Sequence, residues 1–255
     1  MYDQPLIDVR SDGAVRIVTL DEPDRLNAFS EALHEQFVDM WGDIARDEDC
    51  RAVVLTGAGR AFSAGGSYED FEGRRVDLDR RQRSLDLALQ LARDMIDVRV
   101  PVVAAVNGPA VGLGCTVVTL CDIVFIADDT FLADPHVSVA LVAGDGGALS
   151  WPAHTSLLRA KQYLLTGDRI PATVAVELGL ANFAVPAERL LDDALAFAHR
   201  LAAQPPQAVQ ETKRLLNQHL RANAERTLEL GLAMENQSHD TPEYEAAADR
   251  LKPQP

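Results

Sequence analysis

Lysine is scarce in this chain, paired cysteines are lacking, and no long apolar run occurs; each lack closes off a class of function. Lysine appears only at Lys161, Lys213 and Lys252, so arginine supplies nearly all the positive charge. Lys and Arg number 24 against 39 Asp and Glu, a formal net charge of -15. A nucleic-acid binder needs cations to displace counterions from phosphate, so neither DNA nor RNA is an expected partner. A small polyanion is still allowed, because a local arginine patch outweighs distant charge. No stretch reaches the roughly 18 uninterrupted apolar residues of a membrane span, and no membrane association is expected. The opening Met1-Tyr2-Asp3-Gln4-Pro5 has neither a basic n-region nor an apolar h-region, so no signal peptide is expected and the predicted location is cytoplasmic. Cys50, Cys115 and Cys121 fit neither an even disulfide framework nor a zinc-ligand spacing; they read as reduced, buried thiols, with no metal site.

What is present is a chain of 255 residues, 47% hydrophobic, enough for one substantial core with or without a small appended unit. Val15 to Leu20 reads as a strand, and Ser30 then caps a helix through about Ala45, with Leu33, Phe37, Met40, Trp41 and Ile44 at helical spacing. Ala52 to Thr56 is a buried-strand pattern ending at Gly57. Residues 67–80 are polar and read as a loop, followed by a helix from about Arg81 to Ile96. Pro101 opens a strand, Val102 to Val106, and Cys121 to Ile126 reads as another. This alternation predicts an α/β layout with parallel pairing. Beyond about Leu190 the pattern is helical, broken at Gln204-Pro205-Pro206 and Asp240-Thr241-Pro242. Residues 1–190 are therefore expected to form the core with the active site. Residues 191–255 should form a helical region that docks on that core or on another subunit.

Two glycine clusters carry the chemical signal. Phe62-Ser63-Ala64-Gly65-Gly66-Ser67 follows one strand, and Gly108-Pro109-Ala110-Val111-Gly112-Leu113-Gly114-Cys115 follows another. Glycine lets the backbone approach a ligand and adopt positive φ. A strand, a glycine-rich turn and a helix leave free N–H groups aimed at an anion. Two such turns facing each other supply two amides to one oxygen, the geometry of an oxyanion hole, where each donor is worth roughly 3–4 kcal/mol of barrier. Either cluster alone is also what an ordinary turn looks like. The dinucleotide fingerprint fails because Val117 stands where the third glycine belongs, and neither a Walker A lysine nor a Gly-x-Ser-x-Gly elbow is present.

Five ordered segments resemble the enoyl-CoA hydratase/isomerase (crotonase) family: Pro23-Asp24-Arg25-Leu26-Asn27-Ala28, Phe62 to Gly66, Ala105 to Gly114, Cys121-Asp122 and Glu177-Leu178-Gly179-Leu180. The resemblance spans essentially the whole chain. It implies a crotonase-like spiral of ββα units, a C-terminal helical trimerisation region, and homotrimers or hexamers built as dimers of trimers. It implies that the Gly66 and Leu113 amides hold a CoA thioester carbonyl. It also implies that Arg25, the backbone near Ala64 and, more weakly, Lys213 contact CoA, which enters as part of the substrate with no other cofactor.

The departures are informative. Where the family's hydratases carry two glutamates, this chain has Thr116 and His136, and Ser67 replaces the aspartate after Ala-Gly-x. Thr116 is no base. His136 has an ordinary pKa near 6.5 that suits proton transfer, and Asp145 in the turn Ala143 to Gly147 can orient it or act as base itself. Each also fits a plainer role, a satisfied core histidine and a helix N-cap. The stretch Asp134-Pro135-His136 through Trp151-Pro152 further resembles 6-oxocamphor hydrolase, a family member that cleaves a β-diketone without CoA. That resemblance implies roles for His136, Asp145, Glu235 and His34, although a further histidine of that enzyme falls on Leu113. For Glu235 and His34 a solvated helix face is the competing reading. Three functions follow: an acyl-CoA hydratase/isomerase-like enzyme with a His/Asp pair in place of two glutamates; a retro-Claisen carbon–carbon hydrolase of a β-diketone or β-keto thioester, so that the partner is an acyl-CoA or a small ketone substrate; and a non-catalytic acyl-CoA binder.

Overall fold

The structure is a computed structural model that describes residues 2–251, except for the side chains of Tyr68, Asp70 and Leu251. Strands β1 (Ile7–Asp12) and β2 (Val15–Leu20) form an antiparallel hairpin turned at Gly13, whose φ is +59°. Helix α1 (Glu31–Arg46) leads to β3 (Ala52–Gly57), parallel to β2. Helices α2 (Tyr68–Val76) and α3 (Leu78–Asp97) precede β4 (Val102–Val106), β5 (Ala110–Val111) and α4 (Leu113–Leu120). Then follow β6 (Ile123–Ala127), β7 (Phe131–Ala133), α5 (Gly147–His154) and α6 (Leu157–Thr166). Short β8 (Ile170–Pro171), α7 (Ala172–Leu178) and β9 (Phe183–Val185) end the strand-bearing part. Helices α8 (Leu190–Ala202), α9 (Pro206–Leu216), α10 (Gln218–Ser238) and α11 (Pro242–Leu251) complete the described chain.

The strands form two layers. One sheet runs in the order β1-β2-β3-β4-β6-β9, parallel from β2 onward, and a smaller one runs β5-β7-β8. The small layer continues as isolated parallel bridges, Phe29 with Gly66 and Ser63 with Ala110. Each turn of chain thus lays down one long strand, one short strand or bridge, and a helix, which is the expected spiral. Parallel neighbours need such crossovers, and the helices cover the sheet faces.

Helix α1 shows why the local sequence suffices in places. Ser30 Oγ accepts from the Leu33 N–H at 3.2 Å, and Leu33, Phe37, Met40, Trp41 and Ile44 are all buried. The segment 67–80, expected to be a loop, is helical: α2 ends at Val76, and the Asp77 side chain caps α3 by accepting from Asp79 N and Arg80 N, both at 3.0 Å. Its apolar anchor is Phe71, stacked on Tyr244 of α11, so no local period announces the helix. Likewise β6 begins at Ile123, because Cys121 caps the end of α4. All three cysteines are free and buried, as expected.

Helix α8 packs Leu190, Ala194, Ala198 and Ala202 on one face of the large sheet, against Val15, Val54, Val103 and Phe125. Helix α10 instead lies across α3 and α5, which carries its C-terminal half to the opposite face, where the glycine turns are. Among the described residues no helix is long and apolar enough to cross a membrane.

Candidate active site

The two glycine turns meet edge to edge. Ser63 N donates to Pro109 O at 3.2 Å, and Val111 N returns a bond to Ser63 O at 2.9 Å. Gly65 has φ +87°, and a Cβ there would lie 2.7 Å from Val111 O, so only glycine fits. Phe29 N donates to Gly65 O at 2.7 Å within the Phe29–Gly66 bridge. A parallel bridge directs Phe29's bonds to the neighbours of Gly66, which turns the Gly66 N–H to the other side. Gly112, φ +52°, precedes α4, whose first residue is Leu113. An N–H in the first helical turn has no intrahelical acceptor, and the helix dipole favours negative charge beside it. Gly66 and Leu113 both line one cavity of about 310 Å³.

Beside that pair stands His136, whose Cε1 would lie 3.8 Å from a Cβ on Gly112. Its ring is held between two carboxylates: Nδ1 against Asp134 Oδ1 and Nε2 3.4 Å from Asp145 Oδ2. Thr116, on α4, donates its hydroxyl to Asp145 Oδ1 at 3.2 Å. Burial pulls the His136 pKa down, but Asp134 and then Asp145 prevail, and it lies well above the ordinary value. Both ring nitrogens face carboxylate oxygens, an arrangement that favours the protonated ring. Asp145 sits below the usual carboxylate range despite its burial, because His136 and the Thr116 hydroxyl favour the charged form.

Glu235 arrives from α10. Gly144 and Gly231 touch back to back, a Cβ on Gly144 falling 2.3 Å from Gly231 O and 3.0 Å from Glu235 Oε2. One helical turn beyond Gly231, on the same face, the Glu235 carboxyl enters the cavity. It is 3% exposed, and its Oε2 has no hydrogen-bond partner. Burial and then the nearby Asp145 charge push its pKa up to about 7. A carboxyl that titrates near neutrality can both take and return a proton. His34, buried on α1 and edge-on to Phe29 at 5.7 Å, lines the same cavity, as does Ala64.

A family model described as enoyl-CoA hydratase/isomerase matches residues 10–251. The chain belongs to the enoyl-CoA hydratase/isomerase family. An enoyl-CoA hydratase/isomerase from Mycobacterium paratuberculosis has a solved structure 48% identical to it, with a TM-score of 0.95, covering 98% of this chain and 100% of that one. The 2,3-dehydroadipyl-CoA hydratase of Escherichia coli is 31% identical over 223 residues, 88% of this chain and 84% of its own. A β-diketone hydrolase from the cyanobacterium Anabaena, solved with (S)-3-oxocyclohexyl acetic acid bound, is 28% identical with a TM-score of 0.83, covering 92% of this chain and 94% of its own.

Within this enoyl-CoA hydratase/isomerase fold, Gly66, Leu113, His136, Asp145, Glu235, His34 and Ala64 share one cavity. Arg25 does not line it. It is half-exposed and ion-paired with Glu69, while Ala64 N donates to the adjacent Leu26 O at 3.0 Å. Lys213 needs correction as a CoA contact. Its ammonium is buried, donating to Asp122 Oδ2 at 2.7 Å and Val100 O at 2.8 Å, so it ties α9 to the start of β4. Two groups at the site were missed in the sequence. Asp134, 1% exposed at the end of β7, is the stronger partner of His136. Arg74 lies in the segment read as loop and reaches the cavity from α2. The acidic residue two positions before His136 was the available signal for the first; nothing marks Arg74 among its polar neighbours.

Proposed function

We propose that this family member acts on an acyl-CoA thioester in the manner of an enoyl-CoA hydratase or isomerase, with Glu235 and the His136–Asp145 pair taking over from the usual two glutamates. The thioester oxygen accepts from the Gly66 and Leu113 amides, where charge developing in the enolate lies at the N-terminus of α4. Donors held in place before charge forms lower the barrier to removing an α-proton or adding water, by about 3 kcal/mol for each donor. Glu235 exchanges the proton. His136, kept cationic by Asp134 and Asp145, stabilises negative charge and holds the Asp145 carboxylate. The observation that carries this reading is the buried Glu235 carboxyl, with its unpartnered Oε2 in the same cavity as the hole and the His136–Asp145 pair.

The test is loss of conjugated thioester absorbance with a medium-chain trans-2-enoyl-CoA. Wild type is expected to turn over, with Glu235→Gln lower by about 100-fold or more, the scale of a lost acid–base group, and with His136→Ala and Asp145→Asn also lowered through lost charge stabilisation. No turnover in the presence of CoA binding sinks the hydratase reading. Arg25→Ala is expected to weaken CoA binding, since Arg25 flanks the Ala64 turn.

The β-diketone hydrolase neighbour favours one further reading, retro-Claisen cleavage. Glu235 would take a proton from water as the water oxygen adds to one ketone carbon, and the bond from that carbon to the α-carbon would break. The enolate held in the hole would then be protonated at carbon by Glu235. Turnover of a cyclic β-diketone indifferent to added CoA would select it. A non-catalytic binder would hold acyl-CoA equally well after His136→Ala and lose nothing. Leu158, Leu165, Leu215 and Leu230 stand exposed on α6, α9 and α10, which supports assembly of copies into a homotrimer or hexamer.

A further inference from the structure

One apolar wall of the cavity stands apart from the main core. Phe71 on α2 joins Val139 and Leu141, from the segment after His136, in a small cluster of its own, closed from behind by Tyr244 and Ala248 of α11. Neither Tyr244 nor Ala248 lines the cavity, and both are fully buried. The Tyr244 and Phe71 rings lie 4.5 Å apart between centroids and are tilted by 31°, a favourable aromatic contact. The Tyr244 hydroxyl also donates to Phe71 O at 3.0 Å. One side chain thus meets both the ring and the backbone of the wall residue.

Tyr244 is itself firmly seated. Its amide donates to Thr241 Oγ1 at 3.3 Å, which caps the start of α11. Its ring packs on that of His239, with centroids 4.6 Å apart, and His239 Nδ1 donates to Glu235 O at 3.0 Å. Arg81 of α3 adds a second tie: Nε donates to Arg74 O at 2.9 Å, and Nη1 to Asp240 Oδ1 at 2.8 Å. A helix as short as α2, nine residues, is marginal alone and takes its position from such contacts. The wall therefore rests on the corner between α10 and α11.

We propose that Tyr244 is a specificity-determining positioning residue: by backing Phe71 it fixes how much hydrocarbon the cavity accepts beside the oxyanion hole. This rests on the reading that the hole seats the substrate carbonyl, and it names the residue that limits the acyl group within that reading. Phe71 touches the hydrocarbon, and Tyr244 acts through it. Removing the Tyr244 ring leaves a space behind the wall into which Phe71 can turn. Each methylene then buried is worth about fourfold in binding. The ring sets the depth of the wall, and the hydroxyl fixes its seat.

The experiment measures dissociation constants by calorimetry for butanoyl-CoA, octanoyl-CoA and dodecanoyl-CoA. It is run on wild type, Tyr244→Ala, Tyr244→Leu and Tyr244→Phe, with circular dichroism checking that each variant folds. The readout is the affinity for dodecanoyl-CoA relative to butanoyl-CoA. Tyr244→Ala is expected to raise this ratio about tenfold or more over wild type, and Tyr244→Leu by a smaller factor. Tyr244→Phe keeps the ring and is expected to stay within about twofold of wild type. A merely structural role weakens all three ligands by the same factor, and an unchanged ratio in folded Tyr244→Ala overturns the proposal. So does a ratio that moves as far in Tyr244→Phe as in Tyr244→Ala. Where Tyr244→Ala does not fold, Tyr244→Leu decides by the same criterion. Should no acyl-CoA bind wild type, the thioester reading falls alone, and 2-methyl- against 2-hexylcyclohexane-1,3-dione gives the comparison without CoA. A ratio shifted toward the hexyl compound by Tyr244→Ala then keeps the proposal; an unchanged ratio, or binding of neither dione, ends it.

Discussion

A carboxyl group buried beside another carboxylate holds its proton longer, and for Glu235 the consequence reaches both stability and rate. Its pKa rises from 4.5 to about 7 in the folded protein, burial being the larger cause and Asp145 the next. A group raised in this way contributes stability that is fully present below pH 4.5 and is lost as the pH climbs through 7. The loss amounts to at most about 3.4 kcal/mol at pH 8, at 1.36 kcal/mol per unit. Glu235→Gln removes the charge that burial disfavours, so it is expected to raise the melting temperature relative to wild type at pH 8 and to change it little near pH 4.5. The opposite order, stabilisation only in acid, would contradict the assignment. With Glu235 acting first as a base, kcat/KM should rise between pH 6 and 8 and lose that limb in Glu235→Gln. A wild-type profile flat over this range would remove Glu235 from the proton path.

Elements deliver these residues, and the contact between α10 and the turn before α5 brings backbone against backbone. A Cβ on Gly144 would sit 2.3 Å from the Gly231 carbonyl, backbone that cannot rotate away. Gly144→Ala is expected to push α10 outward and to cost about 1–3 kcal/mol of stability, the range for overpacking. It should also lower kcat more than it raises KM, because Glu235 moves with the helix. Stability lost with kcat intact would show that the helix position does not set the chemistry. The same scale explains what was legible in the sequence. Helix α1 and strands β2, β3 and β4 carry their own signal, because one apolar stripe or one apolar run meets the core directly. The glycine turns were legible because positive φ and close backbone approach are local demands. Helix α2 was not, since Phe71 is anchored by Tyr244, whose hydroxyl donates to Phe71 O from 173 positions away. Lys213 was misassigned for a like reason: its partner Asp122 lies 91 positions off, and nothing beside it in sequence tells a buried cation from a phosphate ligand. Arg74 looks like a solvated polar residue until the cavity closes around it, and Asp134 until His136 is set against it.

At the scale of the whole molecule the apolar ledger is incomplete within one chain. Leu158 is 80% exposed and Leu165 71% exposed on α6, seven positions apart and so on one face. Leu215 and Leu216, at the end of α9, are 73% and 63% exposed. Scattered exposed leucines need no explanation, but these pairs on α6 and α9 are the surfaces on which the proposed assembly of copies is to be tested. Association must also overcome like charge, since each copy carries a formal net charge of -15. Two results are expected from light scattering after size exclusion: a mass three or six times that of the chain, and dissociation favoured at low salt, where screening is weakest. Leu158→Glu with Leu165→Glu adds two charges to the α6 face and is expected to shift the population toward monomer while the fold survives. A monomer at every concentration and salt would rule the assembly out. A stable trimer indifferent to the double substitution would move the interface from α6 to the α9–α10 face.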